Sequence, residues 1–479
     1  MVRFLLKLYE RRLMHKLFSF LGESFEYKYV NYQFNGNPHI TKFAVEAMLK
    51  LTATVPIDKL VLICTELSIK GVSELQASLN QNNLSNVEVQ VIKIPDGNNA
   101  NQFWQIFQSI NEQVFDDDLL TFDFTHGFRS FSIIMSTALN FIRRTKPKIQ
   151  ILGVYYGVVH DFKNKTTGTN EMPKDGNIID IKDFYEINEW AEGVSRLVDQ
   201  ADTSKLVSLA KQSDVHVFKN INDPALLNAL TALTNAIRNI NVDFIGPEVE
   251  NSLNILRHKL TDSSPSEKQL LLLVIQKFSQ IEPTGDINVI GEHYFKLQLK
   301  ICKILIDHKF FMQACTVLRE LIGSLGIHYD EEKRIIGNYQ KGRFYANEFI
   351  QMVERNESYK LEWITNDGQN KSIFMKELLN NIQNEESIIS NIPKGNDKDR
   401  LIKAFKLAPQ VKILMEMGLF LDLHEISQPL SNLRNGFDHA WVGQANAKKN
   451  VLIGLEENIN EIFEKLSEII NSYCIKSKV

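Results

Sequence analysis

Leu119-Leu120-Thr121-Phe122-Asp123-Phe124-Thr125-His126-Gly127-Phe128-Arg129-Ser130 reads as an apolar strand, a short polar loop and the first turn of a helix. The amphipathic stretch Ser130–Arg143 continues that helix, so one strand runs straight into it. Four further apolar runs frame this unit: Leu17–Leu21, Leu60–Cys64, Val87–Ile94 and Ile149–Tyr156. Amphipathic stretches at Thr41–Leu51, Ser73–Leu79 and Asn101–Phe115 separate them. Continuous apolar strands alternating with helices indicate a parallel sheet covered on both faces, because such strands bury both sides. Residues 14–185 are therefore expected to form a Rossmann-like α/β domain.

From Glu186 onward strand-like runs nearly vanish and helix-period patterns take over, as in Ala225–Ile240, His293–His308, Met312–Leu325 and Leu455–Ile470. Polar segments at Thr261–Ser266 and Asn391–Asp397 are candidate joints. The expected fold class is α/β plus all-α, with a helical connector over 186–290 and a second helical domain over 291–479.

Hydrophobic residues make up 44% and charged residues 23% of the 479, ordinary proportions for a globular chain, which excludes wholesale disorder. Lys and Arg number 54 against 58 Asp and Glu, a formal net charge of −4. A surface that coats nucleic acid would be strongly basic, so any such contact must be local. Cys64, Cys302, Cys315 and Cys474 show no C-x-x-C spacing. They fit a reducing, cytoplasmic setting and offer no zinc knuckle. No uncharged apolar run is long enough to span a membrane. Residues 1–13 read as a dispensable basic extension.

The α/β region lacks both G-x-G-x-x-G after its first strand and G-x-x-x-x-G-K-[ST], which argues against dinucleotide dehydrogenases and P-loop nucleotidases. In open α/β sheets ligands sit at the carboxyl ends of strands. There Gly127 admits close backbone approach, Thr125 and Ser130 carry hydroxyls, and Arg129 brings a guanidinium to a helix N-terminus. A phosphate or nucleotide cradle and a plain helix cap with an ion-paired arginine both fit. Gly22-Glu23-Ser24 and Thr65-Glu66 end two other strands on the same rim. Their carboxylates suit base amino groups or ribose hydroxyls rather than phosphate. Tyr155 and Tyr156 are either base-stacking or core aromatics.

The helical half carries one compact polar cluster, Ser431-Asn432-Leu433-Arg434-Asn435-Gly436-Phe437-Asp438-His439-Ala440-Trp441. Its R-x-x-x-x-H pattern, Arg434 with His439, would arise by chance in about one such chain in three. On spacing alone an ordinary helix surface with one arginine and one histidine is the better explanation. The chemistry is nevertheless coherent for RNA cleavage by its own 2′-hydroxyl. Histidine moves protons near neutrality, arginine stabilises a charge-rich phosphorane, and Asn435 can orient either.

The ordered set of motifs resembles the CRISPR-associated ribonucleases with an N-terminal CARF and a C-terminal HEPN domain. Leu17–Gly22 with Asn31–Phe34 and Thr41–Phe43 resembles the family's first strand and hairpin. Asp123–Ser130 resembles its D-x-T-H-G-x-R signature, and Trp190–Gly193 the start of its interdomain helices. Gln313–Glu320 resembles the first HEPN helix, and Leu433–Ala440 the HEPN catalytic motif. The resemblance implies an endoribonuclease of type III CRISPR antiviral defence, activated allosterically by a cyclic oligoadenylate, expected to be the four-adenylate ring. It implies single-stranded RNA as substrate, cleavage without a metal or other cofactor, and a homodimer, with higher assembly left open. By carry-over Gly22, Glu23, Ser24, Thr65, Glu66, Thr125, His126, Gly127, Arg129 and Ser130 line the activator pocket, where slow cleavage of the activator is a further option. Arg434, Asn435 and His439 form the nuclease site. The competing reading is a non-catalytic, ligand-responsive regulator that binds DNA or a partner protein.

Overall fold

Six consecutive buried residues, His15–Phe20, form β1, whose alternating side chains serve two different cores. Leu17 packs to one side with Leu60, Leu62 and Cys64; Phe18 and Phe20 pack to the other with Val61, Ile63 and Phe122. The rings of Phe18 and Phe122 stack at 5.2 Å. Truncating such a buried phenylalanine to alanine costs about 3–5 kcal/mol. The computed structural model describes residues 14–23, 28–160, 173–212, 218–327, 360–364, 369–374, 420–438 and 454–476.

β1 is interior to an eight-stranded sheet of order β3-β2-β8-β7-β6-β1-β4-β5. Its other strands are β2 (Val30–Phe34), β3 (Asn37–Thr41), β4 (Lys59–Cys64), β5 (Glu88–Lys93), β6 (Leu119–Asp123), β7 (Gln150–Val159) and β8 (Lys174–Asp180). The five strands from β5 to β7 are all parallel, and β2 also pairs parallel to β8. Helices α1 (Ala44–Leu51) and α2 (Val72–Gln81) bury side chains in the first core. Helices α3 (Ala100–Asn111) and α4 (Arg129–Thr145) do so in the second. The fully parallel sheet read from the apolar runs needs correction at one side, where β7–β8 and β2–β3 are antiparallel. The physical reason for β2–β3 is the two-residue turn Asn35-Gly36. Both have positive φ, +50° and +81°, the geometry that folds a strand back on itself.

The chain divides into two units, Met1–Asn188 and Glu189–Val479, and α5 (Lys182–Gln200) begins in the first and ends in the second. The second unit continues with α6 (Ser204–Gln212), α7 (Pro224–Arg238), α8 (Val242–Lys259), α9 (Pro265–Phe278), α10 (Glu292–Asp307), α11 (Phe311–Ile327), α12 (Phe420–Asp438) and α13 (Leu455–Lys476). Asp223 and Ser264 cap α7 and α9, each followed by a proline at the first helical position. The polar Thr261–Ser266 stretch is thus the turn between α8 and α9. Helices α10 to α13 pack on one another around Phe295, Leu305, Leu318, Leu430 and Leu466. One hairpin, β9 (Lys360–Ile364) with β10 (Asn370–Phe374), departs from the all-helical expectation. Asn391–Asp397 and residues 1–13 lie outside the described residues.

Candidate functional site

At the carboxyl end of β6 the chain leaves the sheet through Phe124 and enters α4 at Arg129. Asp123, wholly buried, positions this loop. Its Oδ1 accepts the Thr125 amide at 2.8 Å and its Oδ2 accepts the Ser19 hydroxyl at 2.7 Å. The Thr125 hydroxyl oxygen in turn accepts the Gly157 amide at 2.8 Å, tying the loop to β7. Gly127 has φ +111°, a conformation that L side chains rarely adopt. Phe128 caps α4 without a side-chain hydrogen bond, so no cap side chain covers the helix N-terminus facing the loop.

These features border a cavity of about 340 Å³. Gly22, Glu23, Thr65, Thr125, His126 and Gly127 supply its polar and backbone lining, and Phe20, Ile63, Phe128 and Phe131 its apolar walls. The structure thus brings six of the ten expected pocket residues together, from the ends of β1, β4 and β6. Gly22 matters for close approach: a Cβ there would stand 3.2 Å from His126 Nδ1. Burial pulls the His126 imidazole below its ordinary pKa, partly offset by the Asp123 carboxylate. Thr65 donates its hydroxyl to Glu23 Oε1 at 2.6 Å, so the Glu23 carboxylate is held at the rim.

Three expected residues stand apart from the cavity lining. Arg129 is exposed at the first residue of α4, Ser130 is half-buried, and Glu66 is exposed and pairs with Lys93 at 3.5 Å. Ser24 lies outside the described residues. Tyr155 is a core aromatic, edge-on to Phe34 at 5.7 Å, whereas Tyr156 is 43% exposed. Asp123 and Ser19 are positioning residues of the site that the expected lining does not include. Their signal was a serine inside the apolar run Leu17–Leu21 and an aspartate closing another.

The second cluster sits on the last turn of α12. Leu423, Ile426, Leu430 and Leu433 bury one face of that helix, leaving Arg434 half-buried at its edge and Asn435 exposed. Arg434 Nη2 lies 3.4 Å from Asp438 Oδ2, one turn on. An exposed i,i+4 pair of this kind contributes only about 0.3–0.5 kcal/mol, so the guanidinium exchanges partners at little cost. His439 lies outside the described residues. Among the described residues no group of three or more His, Cys, Asp or Glu side chains is placed to hold a metal ion. No described helix is long and apolar enough to cross a membrane.

A mostly parallel sheet with a built cavity at its strand ends defines a ligand-binding α/β module. Residues 16–157 match the family described as the CARF domain of the CRISPR system endoribonuclease Csx1. The CRISPR-associated protein MJ1674 of Methanocaldococcus jannaschii is 22% identical over 213 residues, covering 40% of this chain and 32% of the relative. The match thus spans about a third of that relative's length. Enterococcus italicus Csm6 bound to cyclic hexa-2′-fluoro-hexa-dAMP is a structural neighbour at a TM-score of 0.41 and 13% identity, covering 96% of this chain and 94% of that one. The family match and the relative support a CARF domain within a CRISPR-associated protein.

Proposed function

We propose that this chain is an ancillary endoribonuclease of type III CRISPR defence, switched on by a cyclic oligoadenylate bound at the strand ends. The observation that carries the reading is the CARF match over 16–157 together with the cavity built by Thr125, His126 and Gly127 at the β6 carboxyl end. Gly127 and the α4 N-terminus offer backbone amides to phosphate, and the Glu23 carboxylate suits an adenine amino group. The four-adenylate ring is the favoured activator, shared between two chains of a homodimer.

In the nuclease step the RNA 2′-hydroxyl loses its proton to the neutral His439 imidazole, and O2′ attacks the adjacent phosphorus. The P–O5′ bond breaks, the leaving O5′ takes the proton from the His439 imidazolium, and a 2′,3′-cyclic phosphate and a 5′-hydroxyl result. Arg434 trades Asp438 for the phosphorane, whose added charge only a permanent cation offsets. Asn435 orients the phosphate. No metal ion takes part in these steps.

The test is cleavage of a fluorogenic RNA against a panel of cyclic oligoadenylates, with and without EDTA, beside Arg434→Ala. Cleavage that requires an activator, persists in EDTA and vanishes in Arg434→Ala supports the reading. Activator binding with no RNA turnover at any concentration replaces it with a non-catalytic regulator.

A further inference from the structure

The helical unit holds a larger cavity, about 430 Å³, between α6 and α7. Ser204, Ser208 and Lys211 line it from α6, and Thr231, Asn235 and Arg238 from α7. Each trio follows the i, i+4, i+7 spacing of one helix face, so two polar stripes face each other across the groove. Packing is carried by other residues, since Leu206 on α6 and Leu226, Leu230, Leu233 and Ile237 on α7 are buried. Ser204, Ser208, Lys211, Asn235 and Arg238 are exposed, so the stripes are not required by the core.

The charges are arranged along the groove. Arg238 lies 3.8 Å from Asp202 at the start of α6 and over the Phe310 ring at 5.7 Å. Lys211 lies seven residues beyond Ser204, about 10.5 Å along the helix axis. A cation therefore stands towards each end, with hydroxyls and one amide between. Phe310 occupies the turn between α10 and α11, and Gln313 donates to the Arg238 carbonyl at 3.4 Å. The groove is thereby seated on the helix group that carries Arg434.

We propose that this groove is an accessory site for the sugar–phosphate backbone of single-stranded RNA. It rests on the ribonuclease reading and adds a place that holds the strand beyond the cleaved bond. Cations meet phosphates, and hydroxyls and the amide meet sugar and phosphate oxygens. Among the described residues no aromatic ring lines the groove, so those residues offer contacts to the backbone and not a stacking platform for bases. The Asp202 carboxylate accepts a ribose 2′-hydroxyl, a donor that DNA lacks.

The experiment titrates a labelled single-stranded RNA into full-length Arg434→Ala protein by fluorescence polarisation across a salt series. Lys211→Ala and Ser208→Glu are added singly; both positions are exposed, so folding is spared. Lys211→Ala is expected to flatten the slope of log affinity against log salt by about 0.7, one phosphate contact. Ser208→Glu, a carboxylate in mid-groove, is expected to weaken binding by about fivefold to tenfold. With Arg434 intact, both changes raise KM for long RNA and leave kcat unaltered. Unchanged affinity and salt slope in both variants overturn the proposal, as does single-stranded DNA binding as tightly as RNA. Activator-dependent cleavage by the unsubstituted chain is scored separately: its absence removes the ribonuclease reading, whereas intact cleavage with unchanged KM removes only the groove.

Discussion

Replacing Asp123 asks whether one buried carboxylate sets the pocket loop. Its two oxygens accept the Thr125 amide and the Ser19 hydroxyl at 2.8 and 2.7 Å. Asp123→Ala removes both acceptors. The Ser19 hydroxyl retains an alternative in the Phe20 carbonyl at 3.2 Å, so the Thr125 amide bears most of the loss. A buried donor left without a partner costs about 1–3 kcal/mol, and a small cavity adds to it, giving about 2–4 kcal/mol of stability. Asp123→Asn keeps an oxygen for the Thr125 amide and turns its NH₂ to the Ser19 oxygen, which has lone pairs to accept it. Its expected cost is about 1 kcal/mol or less. Urea unfolding reads the stability, and calorimetric titration with the activator reads the loop. Binding should weaken at least about tenfold in the alanine variant, a change of about 1.4 kcal/mol, and less than about threefold in the asparagine variant. An alanine variant as stable as the parent, or an asparagine variant equally damaged, would refute the positioning role.

Gly127→Ala forces a Cβ onto φ +111° at a strain of about 1–3 kcal/mol; activator affinity should drop by about fivefold or more, and the melting temperature should fall by about 2–4 °C for each kcal/mol of that strain. Unchanged affinity would show that the loop does not need this conformation. Burial lowers the pKa of His15, His126 and His308 from the ordinary 6.5. The unfolded chain then binds protons that the folded chain refuses, so stability present above about pH 6.5 is lost as the pH falls, by up to about 1.4 kcal/mol per unit per histidine. A flat unfolding profile between about pH 7.5 and 5.5 contradicts this. Glu46 is wholly buried and joins Ser78 at 2.5 Å and Asn82 and His39 at 2.9 Å, so Glu46→Ala should cost about 2–4 kcal/mol in urea unfolding. A loss below about 1 kcal/mol would mean that those groups find other partners.

The strands visible in the sequence are the continuous apolar runs, which are almost wholly buried in β1, β4 and β6 but only half-buried in β5, at the sheet edge. Leu17–Leu21, Leu60–Cys64, Val87–Ile94, Leu119–Phe124 and Ile149–Tyr156 correspond to β1, β4, β5, β6 and β7 within a few residues. β8 carries no apolar run, because Lys174–Asp180 buries only alternate positions, Gly176 and Ile178, and carries three charges. The β2–β3 hairpin has a local sequence sign in Asn35-Gly36, whose positive φ angles make its turn, while its strands are too short and polar to stand out as apolar runs. At the site, loop residues that meet the cavity through backbone or small side chains were legible from their place after a strand. Asp123 heads the D-x-T-H-G-x-R signature, but its role and that of Ser19 are not legible there, because a residue that acts by holding another shows its partner only in the fold. Arg129 shows the converse, since a guanidinium beside a glycine loop suggests phosphate although its side chain does not line the cavity.

The amino edge of the sheet holds a contrasting set of polar groups. Lys16 Nζ donates to Asp118 and to the Gln113 carbonyl at 2.9 Å, and lies over the Phe115 ring at 4.6 Å. Asp118 also accepts the Phe115 amide at 2.8 Å, and Lys146 donates to the Asn111 carbonyl at 2.8 Å. These contacts close the chain between α3 and β6, whereas the carboxyl edge turns its polar groups towards a cavity. Stability and ligand recognition should therefore respond to different substitutions. Lys16→Met keeps the buried stem but strands the Asp118 carboxylate, and breaking a buried pair from one side costs about 3–5 kcal/mol. β1 is six residues long, which separates that edge from Gly22 by about 20 Å. In the folded fraction of Lys16→Met, activator affinity should thus stay within about twofold of the parent. Unfolding and activator titrations on the same preparation decide it: affinity that falls in step with stability would show that the two edges are coupled through the strand.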